Sequence, residues 1–207
     1  MQIDTLTFIF SILVLIFSVI VHEVSHGYAA YFLGDNTAKY AGRLNLNPLN
    51  HLEWFGSFIL PVVSYLTGGF IIGWAKPVPF NPYNLRNQRW GEAIVAIAGP
   101  LSNICIALIF GLGIRFGLVG QFGPSFLYIS SMIVVINLVL ATFNLVPVPP
   151  LDGSKILFSF LPYNMQYVRD FLEKNQLFLV LIFIFFLWQF IAPVVSIEFR
   201  LITGLLA

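Results

Sequence analysis

The chain has 207 residues, of which 58% are hydrophobic and 9% charged, and its formal net charge is +1. Soluble domains average roughly 45 to 50% apolar residues, so this composition excludes a water-soluble globule. The near-neutral charge offers nothing that would bind a nucleic-acid backbone. The single cysteine, Cys105, excludes an intrachain disulfide and a cysteine-based metal cluster.

A bilayer-spanning helix needs about 20 mostly apolar residues. The first such stretch is 5–33, and no basic region or small-residue cleavage site marks it as a removable signal. Residues 54–75 are apolar as well, but Pro61, Gly68, Gly69 and Gly73 interrupt them, so a continuous helix is not assured. Further spans are predicted at 91–117, 125–147 and 176–197. Between the last two, "SKILFSFLPYNMQYVRDFLEKNQ" has apolar and charged faces and is expected to lie on the membrane surface as an amphipathic helix.

Lys and Arg accumulate on the cytoplasmic side of short loops. If 54–75 enters the membrane and returns, Lys39, Arg43, Lys76, Arg86, Arg89, Lys155, Arg169 and Lys174 share one face and only Arg115 and Arg200 lie opposite. A full crossing would divide the ten cations almost evenly. The expected fold is therefore an α-helical polytopic membrane protein: about four spanning helices, a re-entrant segment and an amphipathic surface helix. Residues 1–207 form one domain, with a core at about 15–160 and a C-terminal part at 161–207.

"HEVSH" lies inside the first span. His22 and His26, at i and i+4, share a helix face with Glu23 beside them, the pattern in which two imidazoles hold zinc and the glutamate acts on water. Ionisable groups at membrane depth cost about 2.5 to 3.5 kcal/mol or more each and mark function. A catalytic zinc takes three protein ligands and keeps one position open. His51, Glu53, Glu92 and Asp152 are the candidates for the third. Asp152 is the best placed, because it follows a full span and Pro147, Pro149 and Pro150 stop that helix. Gly153 is then expected to let the backbone turn the carboxylate inward. Gly99 and Asn103, one helical turn apart, have two readings: support for the catalytic site, with Asn103 pointing at the zinc cavity and counted with the substrate-binding residues, or close helix packing with an intramembrane hydrogen bond.

"HEVSH", "AGPLSN" at 98–103 and "FNLVPVPPLDG" at 143–153, on three separate spans, together resemble the site-2 protease family of intramembrane zinc metalloproteases, in its short prokaryotic form. No PDZ insertion or CBS tail is visible. The resemblance implies one zinc per chain held by His22, His26 and Asp152, Glu23 as catalytic base, and Asn144 near the metal holding substrate backbone. It also implies a short membrane-embedded strand at 73–80 against which substrate pairs. The expected partners are transmembrane protein or peptide substrates and the lipid bilayer, with no nucleic acid. The expected location is a prokaryotic cell membrane, with the active site opening toward the cytoplasm. Two other classes stay open at this point: a membrane zinc transporter and a non-catalytic scaffold that binds transmembrane segments.

Overall fold

The structure, a computed structural model, describes residues 5–51, 53, 56, 59, 62, 63, 66, 76–184 and 188–205. In chain order its helices are α1 (Thr5–Phe32), α2 (Thr37–Tyr40), α3 (Pro48–His51), α4 (Gly91–Arg115), α5 (Pro124–Asn144), α6 (Asp152–Phe160), α7 (Gln166–Lys174), α8 (Gln176–Ile182) and α9 (Trp188–Thr203). No strand forms among the described residues. Three helices, α1, α4 and α5, are long and apolar enough to cross a membrane. They fall within a few residues of the predicted spans.

Local chemistry explains their ends. At the close of α1 the Asp35 N–H reaches back to the Ala30 carbonyl (2.9 Å) and the Gly34 N–H to that of Tyr31 (3.0 Å). Gly34 has φ of 104°, the left-handed conformation that this double-bonded helix terminus requires and glycine adopts without strain. Helix α5 opens on Pro124, whose missing N–H is no loss where no intrahelical acceptor exists.

Of the fourth predicted span, 176–197, the described residues carry α8, of 7 residues, with helical backbone continuing through Phe183 and Ile184, and α9, of 16 residues; 185–187 lie outside the described residues. Helix α9 also runs past the predicted end, so Glu198 and Arg200 belong to it, and Glu198 accepts a hydrogen bond from the Thr142 hydroxyl of α5 (3.0 Å). The predicted amphipathic helix is divided in two. Pro162 drives Leu161 to an extended conformation (ψ of 130°), which ends α6 before α7 begins. Helix α7 buries no residue and turns Tyr167 and Phe171 outward, as a helix lying at a lipid surface does.

Helix α4 packs against α1, α5, α6 and α9. Its far half joins Ala107 and Ile114 to Val134 and Leu138 of α5 and to Ile191, Val195 and Phe199 of α9 in an apolar core. The outer face of α1 exposes Leu6, Ile9, Leu13 and Phe17, whereas Ser18, His22 and His26 are buried. This polarity is inverted relative to a soluble helix, as a lipid surround demands.

Most of 54–75 lies outside the described residues, and so do 73–75 of the expected strand at 73–80. The flanks are informative. The Lys76 N–H donates to the His51 carbonyl (2.8 Å), so residues 51 and 76 are neighbours. The Arg86 N–H donates to the Leu33 carbonyl (2.8 Å), which puts the end of α1 and the approach to α4 on the same face. Residues 76–80 form no β ladder. Pro77 and Pro79 lack an N–H, while proline holds the residue before it extended.

Asp35 ties this face together. One carboxylate oxygen accepts from the Thr37 N–H (3.1 Å) and hydroxyl (2.5 Å) and from the Asn84 amide (2.9 Å), and the other from the Asn81 N–H (2.6 Å). Burial pushes its pKa up, but these donors outweigh it and hold the group below the ordinary value of 3.8. A carboxyl with a depressed folded pKa stabilises fully above its unfolded value and loses that contribution as pH falls through the folded one. Asp35→Asn is therefore expected to cost about 1–3 kcal/mol at pH 7. That deficit relative to wild type should shrink toward zero in acid below the ordinary carboxylate range, as read by thermal unfolding in detergent at both pH values.

Candidate metal centre

Ser18, His22 and His26 recur every four residues and so line one stripe of α1, which meets α4. The stripe fits because residue 99 has no side chain. A Cβ there would stand 2.5 Å from His26 Nε2 and 2.6 Å from both Cε1 and Nε2 of His22. The two rings lie edge to face, 4.6 Å apart at an interplanar angle of 88°.

Hydrogen bonds set which nitrogen each imidazole offers. His22 Nδ1 faces the Asn103 side-chain oxygen (2.6 Å), and His26 Nδ1 faces the Val95 carbonyl (2.7 Å). Both partners are acceptors, so each Nδ1 carries the proton and each Nε2 keeps its lone pair. Both Nε2 atoms turn to the same carboxylate oxygen, Oδ2 of Asp152, at 3.1 Å from His22 and 3.2 Å from His26. The ligand atoms of the three residues lie within 4.8 Å of one another and all three residues are buried.

Asp152 opens α6, and Gly153 sets where that helix starts. A Cβ at 153 would come within 2.2 Å of the Leu145 carbonyl oxygen and 2.5 Å of that of Val146. Gly153 is thus required for close approach of two backbones, and the turn expected of it is not its role: it lies within α6 and is not among the positive-φ glycines. An ionised carboxylate and two neutral imidazole nitrogens match the nitrogen and oxygen donors of a three-ligand metal site.

Glu23 stands beside this cluster, half-buried, and accepts a hydrogen bond from the Val78 N–H (2.9 Å). The substrate contact expected of Asn103 does not fit the geometry. Asn103 has no exposed surface, its oxygen is taken by His22, and its NH2 donates to Asn137 Oδ1 (2.9 Å) and the Ser18 carbonyl (3.3 Å). Asn137 donates in turn to Ser18 Oγ (3.0 Å). Ser18 and Asn137 were not singled out from the sequence. Their signal was polarity within spans, but which helix face meets which cannot be read from one helix alone.

Asn144 donates back to the Leu140 carbonyl of its own helix (2.9 Å). The other third-ligand candidates lie elsewhere. His51 is fully buried, with Nε2 on the Asn45 carbonyl (2.7 Å), and Glu92 pairs with Arg169 (3.5 Å). Neither these two nor Glu53 belongs to the group of metal-type ligands found among the described residues.

The sequence profile of peptidase family M50 matches residues 10–122 and 122–188. The chain belongs to peptidase family M50. Among similar proteins, YwhC of Bacillus subtilis is 37% identical over 191 residues, covering 89% of this chain and 81% of its own length. MJ0611 of Methanocaldococcus jannaschii is 32% identical over 158 residues, 72% of each chain. Zinc metalloprotease MJ0392 of the same organism is 27% identical over 158 residues, 76% of this chain but 36% of its own length. No solved structure matches.

A partner that fixes the tautomer and orientation of a metal-ligating histidine typically contributes 10–100-fold to metal affinity. Asn103→Leu is therefore expected to weaken divalent-metal binding about 10–100-fold. Gly99→Ala, whose Cβ would occupy the space of both imidazoles, should do at least as much damage. Metal titration of the purified apoprotein checks both.

Proposed function

We propose that this membrane metalloprotease hydrolyses peptide bonds within or near transmembrane segments, at a zinc site formed by His22, His26 and Asp152 with Glu23 as general base. The observation that supports this most directly is the buried convergence of two imidazole Nε2 atoms and one carboxylate oxygen, with a half-buried glutamate one residue along the same helix. Membership of family M50 makes the chain a metalloprotease, and its metal is zinc. The donor set accepts that metal without rearrangement of ligand type.

When bound, zinc supplies Lewis-acid polarisation of a carbonyl and makes water a stronger acid. The remaining work falls to the chain. Glu23 takes a proton from the attacking water and returns it to the leaving amine. Asn103 and the Val95 carbonyl keep both imidazoles in the tautomer that presents Nε2 inward. Asn144, whose NH2 is committed to its own helix, offers its side-chain oxygen to a substrate backbone N–H.

A helical substrate shields its peptide bonds, so it must be unwound locally before attack. Residues 76–80, in contact with Glu23 through Val78, support a role in holding it open. Water would enter from the face that carries Asn45, Asn47 and Asn50, on which the predicted cation bias also falls. That bias supports an orientation with the site opening to the cytoplasm. A zinc transporter would need metal ligands in series through the membrane. The single triad among the described residues favours one fixed site.

Glu23→Gln is expected to keep its zinc and lose about 10²–10⁴-fold in cleavage of a reconstituted transmembrane peptide. Asp152→Ala should lose both the metal and the activity. Zinc content by mass spectrometry and cleavage by gel assay, on the same preparations, check the pair. Full zinc in Asp152→Ala would refute the proposed ligand set.

A further inference from the structure

The contact between Val78 and Glu23 depends on residues remote from the metal ligands. Arg43, in the loop between α2 and α3, is 9% exposed, and its Nη2–H donates to the Lys76 carbonyl (2.9 Å). The N–H of the same Lys76 donates to the His51 carbonyl (2.8 Å). Lys76 is thus gripped at both its backbone polar groups. Pro77, whose φ is fixed, is the only link between the held Lys76 and Val78, whose N–H donates to the Glu23 carboxylate (2.9 Å).

The sequence excludes a slip of one residue. Pro77 and Pro79 have no N–H, so a slip of one residue either way would face Glu23 with a group that cannot donate. The Val78 side chain is buried at 6% exposure and sits where Gly27, next to His26, leaves room. A Cβ at 27 would meet Val78 Cγ1 at 2.8 Å and Leu44 Cδ2 at 2.6 Å. Leu44 adjoins Arg43, so the arginine loop and the 76–80 segment share one seat on α1. No carboxylate pairs with Arg43 among the described residues. A buried guanidinium is costly to keep, and among the described residues its one side-chain hydrogen bond is to this carbonyl.

We infer that Arg43 is a positioning residue for Glu23, acting through the backbone of Lys76 and Val78. This rests on the reading of Glu23 as the general base. One oxygen of Glu23 is held by a backbone amide while the other stays free for the proton of water, so Arg43 sets the geometry of the base without touching substrate.

The test uses the full chain in detergent, as wild type, Arg43→Gln, Arg43→Lys and Glu23→Ala. Three quantities are read: hydrogen exchange at the Val78 amide in the metal-free protein, zinc content, and kcat and KM on a transmembrane peptide. Because its neighbours are prolines, Val78 is the sole exchanging amide of residues 77–79. Arg43→Gln should speed its exchange by about tenfold or more and lower kcat by a similar factor. KM should stay within about twofold and zinc should be retained. Arg43→Lys, which keeps a cationic donor, should recover part of both losses. If Arg43→Gln does not fold, the lysine variant decides by the same exchange measurement.

Unchanged exchange at Val78, or zinc lost in step with kcat, would overturn the inference. Should wild type cleave nothing, the proteolytic reading falls separately. The exchange result would still decide the network: faster exchange in both Arg43→Gln and Glu23→Ala supports it, and protection retained in either one overturns it.

Discussion

Helix α4 can lie against the histidine-bearing face of α1 because residue 99 has no side chain. At Cβ distances of 2.5–2.6 Å to both imidazoles, even alanine would force the helices apart or the rings off their partners. The rest of the centre depends on that approach. It brings the Val95 carbonyl to His26 and Asn103 to His22, so each ring is oriented by α4 while it is carried by α1. Asp152 then closes the triad from α6, whose own position depends on a second close approach, Gly153 against the carbonyls of residues 145 and 146.

The surround makes these contacts more than packing. In hydrocarbon no water can satisfy a polar group, so each one left unpaired costs several kcal/mol. Ser18, Asn103 and Asn137 satisfy one another and anchor His22. Asn103 is held at both ends of its amide, which leaves it one orientation and makes the His22 tautomer a consequence of the network. Leu6, Ile9, Leu13 and Phe17 of the first span face outward, where in a soluble protein they would be turned to the core.

On the face where α1 ends and α4 begins, loops replace helices, and they are ordered by backbone hydrogen bonds to a few buried side chains. Asp35 collects donors from residues 37, 81 and 84, while Arg43 and the His51 carbonyl grip Lys76. Between them they fix both ends of the 76–84 stretch. A segment free of ladder partners can thus be stationary enough to place one amide on Glu23. This links the outer loops to Glu23 without a regular strand.

Much was legible in the chain itself. Apolar runs of span length mark α1, α4 and α5, because a helix in lipid must satisfy its own backbone. The i, i+4 spacing puts His22 and His26 on one face with Glu23 beside them, because helix periodicity requires it. The proline cluster before Asp152 marks the end of a span. Other features depend on distance across the fold. That Asn103 orients His22 and does not reach substrate, that Ser18 and Asn137 complete its network, and that Gly153 serves proximity, follow from which faces meet. Local periodicity decides what lies on one face of one helix. Only the packed structure decides what that face is set against.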